Sequence, residues 1–199
     1  MTIIGLTGGS GTGKSTALRV LADMGACVID CDMVYHELLE SNGAMLDEIA
    51  RRFPGVVSDG RLMRKALGEI VFHDPVALAD LNALTHGYVR RAVDMRISDL
   101  AERGILFLAI EGIAIIEAGI AGECDVVVAF LAPEEIRVQR IMTREGIGRD
   151  YALARVRSQK PDAFYMERAA YTLTSNFSSS DECIAACREL FARIVAMQK

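Results

Sequence analysis

Apolar residues along the chain fall into two kinds of run. The first is short and continuous: Thr2–Thr7, Cys27-Val28-Ile29, Ile105–Ile110 and Asp125–Leu131. Unbroken apolar runs of this length predict strands of a parallel sheet with both faces covered. The second kind recurs every three to four residues. From Lys14 onward Ala17, Leu18, Leu21 and Ala22 share one helical face, and Gly25 is the stop signal. Residues 33–103 carry helical periodicity and no convincing strand, through Val34, Leu38, Leu46, Ile49, Leu67, Leu81 and Leu84, and read as a helical insertion. Residues 134–169 are again helical and rich in arginine. Tyr171–Asn176 fits a short last strand, and Ser178–Asp181 lead into a closing helix with Ile184, Leu190, Phe191 and Ile194. Strands alternating with helices predict an α/β fold, a parallel sheet with right-handed crossovers.

Composition narrows this pattern. A chain of 199 residues has room for one sizeable core, so a single domain over 1–199 is expected. The net charge of -5 gives no general reason to expect nucleic acid as a partner, so an anion site has to be built locally. Five cysteines, odd in number and without Cys-x-x-Cys spacing, read as reduced thiols and point to the cytoplasm. Cys183 and Cys187 lie one turn apart and share a face of the closing helix. Met1–Thr7 has no basic leader and no stretch approaches the length of a membrane span, so no membrane partner is expected. Nothing in the pattern sets an oligomeric state.

The chemistry begins between the first strand and the first helix. Gly8-Gly9-Ser10-Gly11-Thr12-Gly13-Lys14-Ser15 meets the full P-loop pattern in the strand-loop-helix context that the motif requires. Glycines let the backbone turn its amides inward as an anion nest, and the helix beginning near Gly13 adds its positive end. Residues 9–16, Gly9 through Thr16, are therefore expected to hold ATP, with Lys14 reaching the β/γ-phosphates and the Ser15 hydroxyl binding Mg²⁺. Asp30 and Asp32 lie two apart at a strand's carboxyl end, where open parallel sheets bind ligands; if the strand persists, both point the same way. An aspartate here either serves as base toward an attacking hydroxyl, Asp32 being favoured for that role, or caps the helix that follows. Glu111 stands where a carboxylate orients a Mg²⁺ shell, or simply marks a strand end. Arg137, Arg140 and Arg144 form one helical stripe, either closing over a triphosphate or forming a solvated face balanced by Glu134, Glu135 and Glu145. His36 and His73 read as surface residues; His86, ending an apolar helix, is placed to touch a substrate or to be structural.

With these residues in view, the chain resembles the dephospho-coenzyme A kinase family over almost its full length. The resemblance rests on Leu6–Thr16, on Val28-Ile29-Asp30-Cys31-Asp32 where the family has Val-Ile-Asp-Ala-Asp, on Asp59-Gly60-Arg61-Leu62, on Leu67-Gly68-Glu69-Ile70-Val71-Phe72, and on Gln159-Lys160-Pro161. It implies a five-stranded parallel sheet of nucleoside-monophosphate-kinase type with an acceptor-binding helical region at 33–103 and a lid at 137–165. It further implies transfer of the ATP γ-phosphoryl group to the ribose 3′-hydroxyl of dephospho-coenzyme A. On that reading Asp32 acts on the hydroxyl with Lys14, Arg140 and Arg144 as its catalytic partners, Asn176 lies near the adenine, and Asp32, His86 and Glu111 face the acceptor. The family's His-Pro is here His86-Gly87, and its closing Asn-x-Gly is Asn176-Phe177-Ser178. The rival readings are a kinase of another small acceptor, such as a nucleoside or nucleoside monophosphate, and an ATP-binding switch without an acceptor.

Overall fold

A computed structural model describes residues 1–71, 73–177 and 179–197; Phe72 and Ser178 lie outside the described residues. Five strands form one parallel sheet: β1 (Thr2–Thr7), β2 (Cys27–Asp30), β5 (Phe107–Glu111), β6 (Val126–Leu131) and β7 (Tyr171–Thr174), in the order β2-β5-β1-β6-β7. The strand that leads into the phosphate loop is therefore central, with the strands carrying Glu111 and Asp30 on one side. β6 is buried along its whole length, as its unbroken run of valines demands.

Helices cover both faces. On one, α1 (Lys14–Asp23) and α9 (Ser180–Met197) bury Ala17, Val20 and Leu21 together with Cys183, Cys187, Phe191 and Ile194. The two cysteines do share a buried face, and the five thiols are free. On the other face, α2 (Cys31–Ser41) and the long α5 (Pro75–Glu102) cover Leu108 and Ile110 with Val34, Val89 and Val93. Between these two helices lie α3 (Gly43–Arg52), β3 (Val57–Ser58), β4 (Arg61–Leu62) and α4 (Arg64–Val71). This insertion has its own core of Leu39, Met45, Ile49, Phe53, Leu67 and Leu81.

Three expectations are corrected. The insertion contains a two-stranded hairpin, because Asp59 and Gly60 both take positive φ, 50° and 70°, and reverse the chain in two residues. Strand β5 begins at Phe107 rather than Ile105: the Ile105 amide bonds the Leu100 carbonyl at 3.0 Å and still belongs to the helix end. α5 continues through His86 and Gly87 to Glu102, so His86 sits within a helix rather than at its end. The arginine-rich segment divides into α6 (Glu134–Glu145), α7 (Arg149–Arg157) and α8 (Asp162–Met166).

Candidate active site

The phosphate loop depends on what lies behind it. Gly8 has φ 129°, and a Cβ there would stand 2.1 Å from the Phe130 carbonyl oxygen of β6, so only glycine lets the loop leave β1 this close to its neighbour. Gly13, at φ 102°, precedes α1 without a side-chain cap, and the first turn of the helix holds no acid. The leading amides therefore face the loop unneutralised, which is the condition for anion binding. Thr12 closes the loop from within, its Oγ1 donating to the Gly9 carbonyl at 2.9 Å.

Two residues far along the chain fasten the loop from outside. Arg137 Nε donates to the Ser10 carbonyl at 3.0 Å, and Gln159 Oε1 accepts from the Ser10 amide at 2.8 Å. Gln159 also donates to Ser10 Oγ at 2.8 Å, and Arg137 donates to Gln159 Oε1 at 2.6 Å. The arginine stripe thus splits three ways. Arg137 is buried behind the loop. Arg140 lies at its side, Nη1 donating to the Gly11 carbonyl and to Ser175 Oγ, both at 3.1 Å. Arg144 reaches the cleft rim, bonded to Glu145. Glu134 and Glu135 pair with Arg157 and Arg149 on the outer face instead.

Lys14 lies in the loop, 6% exposed, with Nζ 3.1 Å from the Gly9 carbonyl and 3.5 Å from Glu111 Oε1. Register explains the pairing, since Leu6 of β1 stands beside Glu111, and Glu111 beside Asp30 of β2. Burial opposes both charges: it lowers the Lys14 pKa against the raising field of Glu111, and raises that of Glu111 against the lowering field of Lys14.

The two aspartates do not share a strand face. β2 ends at Asp30, whose Oδ1 accepts from the amides of Asp32 at 2.9 Å and Met33 at 3.1 Å, capping α2. The strand stops one residue too early for the two side chains to align. Asp32 instead stands in the first turn of α2, exposed, its carboxylate with no hydrogen bond or ion pair among the described residues. Capping and chemistry are thus divided between two acids.

Three hollows meet around this point. A cleft of about 320 Å³ is lined by the loop, Lys14, Ser15, Asp32, Glu111 and the arginines 19, 140, 144 and 155. Asp32 also lines a second cavity of about 210 Å³, walled by α2 and α5 through Tyr35, Asn82, Thr85 and His86 with an apolar floor. Neither the Asn82 nor the His86 side chain has a hydrogen-bond partner among the described residues, and burial lowers the His86 pKa, with Glu117 opposing. The third hollow, also about 320 Å³, opens beyond Gly13 and Thr16 between Arg140, Ser175 and Phe177. Asn176 is exposed two residues past the end of β7, between two residues that line that hollow.

Among the described residues no cluster of three or more His, Cys, Asp or Glu side chains forms a metal cage. The Ser15 hydroxyl is exposed and uncommitted at the cleft, with Asp30, Asp32 and Glu111 around it. That donor set suits Mg²⁺, which keeps most of its waters and takes few protein ligands. Arg19, Tyr35, Asn82, Arg155 and Ser175 complete the site without having been singled out for it from sequence. The hollows they line draw on elements far apart in the chain, and periodicity reads Tyr35 and Asn82 only as helix positions.

A nest of amides and a buried lysine following the central strand, beside an exposed carboxylate that opens on a helical cavity, define a P-loop kinase. The family model for dephospho-CoA kinase matches residues 2–181. A dephospho-CoA kinase of Dehalococcoides mccartyi is 33% identical over 195 residues, 97% of each chain. A crystal structure of a Thermus thermophilus protein is 35% identical, covers 98% of this chain and 97% of its own, and superposes with a TM-score of 0.78. A dephospho-CoA kinase from Campylobacter jejuni shares the fold at 24% identity, with a TM-score of 0.69 over 99% of this chain and 98% of that one. This chain belongs to the dephospho-CoA kinase family.

Proposed function

We propose that the protein transfers the γ-phosphoryl group of Mg-ATP to the ribose 3′-hydroxyl of dephospho-coenzyme A, giving coenzyme A and ADP. The observation that carries this reading is the place of Asp32, an uncommitted carboxylate shared by the phosphate cleft and the helical cavity. A hydroxyl entering from the cavity meets Asp32 before it meets the phosphates. Asp32 holds that hydroxyl in line and accepts its proton as the O–P bond forms. Lys14 and the loop amides hold the β/γ-phosphates, Arg140 and Arg144 balance the charge on the moving group, and ADP leaves with the broken bond's electrons.

Ser15 would be the protein ligand for Mg²⁺ and Glu111 would orient its waters; the ion would supply neutralisation of phosphate charge. Residues 33–103 form the acceptor region, where the neutral His86 and the amide of Asn82 offer hydrogen bonds to the acceptor. Residues 137–165 form the lid, and Asn176 borders the adenine. The free thiols suit a reducing cytoplasm, and no helix among the described residues is long and apolar enough to cross a membrane.

The test is ADP release by the purified protein with Mg-ATP and a panel of dephospho-coenzyme A, nucleosides and nucleoside monophosphates. The expected result is release dependent on dephospho-coenzyme A and a product one phosphoryl group heavier. Preference for a nucleoside acceptor, or hydrolysis indifferent to any acceptor, overturns the substrate and leaves the P-loop standing.

A further inference from the structure

Four arginines of α6 and α7 compete for attention near the cleft, and their partners sort them. Arg149 is held by Glu135, and Arg157 is gripped by Glu134 through two bonds at 2.9 and 3.0 Å, on the outer face. Arg144 and Arg155 share a single acid: Glu145 accepts from Arg144 at one oxygen and from Arg155 at the other, both at 2.6 Å. Arg155 lines the phosphate cleft together with Lys14 and Asp32. It also lines a surface pocket shared with His73, just beyond α4 of the acceptor region, so it stands where the two halves of the site face each other.

One carboxylate between two guanidinium groups does specific work. The groups would otherwise repel; bridged, they lie side by side, and each spends one of its five N–H donors, leaving the rest for another anion. We propose that Arg155 is a catalytic residue that contacts the transferring phosphoryl group, and that Glu145 is a positioning residue which holds Arg144 and Arg155 together as one doubly charged clamp. This rests on the phosphotransfer reading above and adds two residues to it. Arg155 neutralises oxygen charge that develops as the β–γ bridge breaks and the acceptor oxygen bonds phosphorus; it neither gives nor takes a proton.

The test uses the full chain with Arg155→Met, Arg155→Lys, Glu145→Gln, the double variant Glu145→Gln/Arg155→Met, and Arg157→Met as the outer-face control. Circular dichroism and ADP affinity establish that each variant is folded. Arg155→Met is expected to lower kcat on the order of 10²-fold with ATP affinity changed only a few-fold, as for loss of one positioned donor. Arg155→Lys restores part of the loss, and Arg157→Met stays near wild type. The double variant should lose less than the product of the two single losses, because Glu145 works through Arg155 as well as through Arg144. A second arm needs no acceptor: binding of ADP with aluminium fluoride, which imitates the moving phosphoryl group, should weaken in Arg155→Met while ADP alone does not. If Arg155→Met resembles Arg157→Met in both arms, Arg155 has no catalytic role; if the losses of Glu145→Gln and Arg155→Met multiply, Glu145 does not position it. Wild-type inactivity toward dephospho-coenzyme A, with the aluminium fluoride arm as expected, overturns the substrate and keeps the clamp.

Discussion

Lys14→Met exposes the energetics of the phosphate loop more sharply than any loss of turnover. Lys14 and Glu111 are each about 6% exposed and stand 3.5 Å apart, so removing the lysine leaves a buried carboxylate without the cationic partner it has among the described residues. Breaking a buried pair from one side costs about 3–5 kcal/mol. For a domain of this size, each kcal/mol moves Tm by roughly 2–4 °C, which gives a fall of about 6–20 °C. The loss depends on pH, and its sign follows from Glu111. Burial already raises its pKa, and the Lys14 charge is what opposes the rise, so in the variant the folded-state value climbs further. A folded state that holds a proton more tightly than the unfolded chain loses stability as pH rises through the raised value. The Tm gap to wild type should therefore be small near the ordinary carboxylate range and widen as pH rises above it. Lys14→Met/Glu111→Gln should recover most of the gap, because no charge is left to bury. Thermal unfolding across pH for wild type and the two variants measures this. A gap that is equal at acid and alkaline pH, or a double variant no better than Lys14→Met, refutes the argument.

Asp32→Asn should lower kcat by about 10²–10⁴-fold while ATP affinity stays within a few-fold, as expected for loss of a base; equal losses in turnover and in calorimetric ATP binding remove Asp32 from that role. Gly8→Ala places a methyl group 2.1 Å from the Phe130 carbonyl oxygen at a positive φ, so ATP binding should be lost together with a large drop in Tm; a variant that binds ATP like wild type contradicts the packing. His86 has its pKa lowered by burial, so it stays neutral at neutral pH and protonates only below the ordinary histidine value. The KM for dephospho-coenzyme A should then be flat down to about pH 6.5 and rise below it, and a histidine inflection above that value would count against His86 as a neutral ligand.

The parallel strands were legible because burial on both faces writes itself as continuous apolar runs, and β1 matched from Thr2 to Thr7. Ends were less legible, since they depend on single hydrogen bonds: Ile105 and Leu106 are as apolar as β5 itself, yet the first is bonded back to the helix before it. The hairpin at Asp59-Gly60 escaped the periodicity because strands of two residues have no period to detect. At the site, the loop and both aspartates could be picked out as candidates, but not their division of labour, which turned on where β2 stopped. Gln159 could be quoted as part of a motif, whereas its three bonds around Ser10 join positions too far apart for any local pattern to show. His86 was a candidate from the start, whereas Asn82 beside it became visible only with the cavity that α2 and α5 enclose.

The fastening of Ser10 has a mechanical consequence. Arg137 and Gln159 are both bonded to the same loop residue, so the chain between them, which includes most of α6 and all of α7, is attached at both feet. Such a segment is a handle rather than a flap: it can bow toward the cleft or away from it, but it cannot swing clear without tearing the loop's outer bonds. Any inward bow loads Ser10 directly, so movement of the arginines over the phosphates and the shape of the cradle beneath them are one deformation, felt at both places at once.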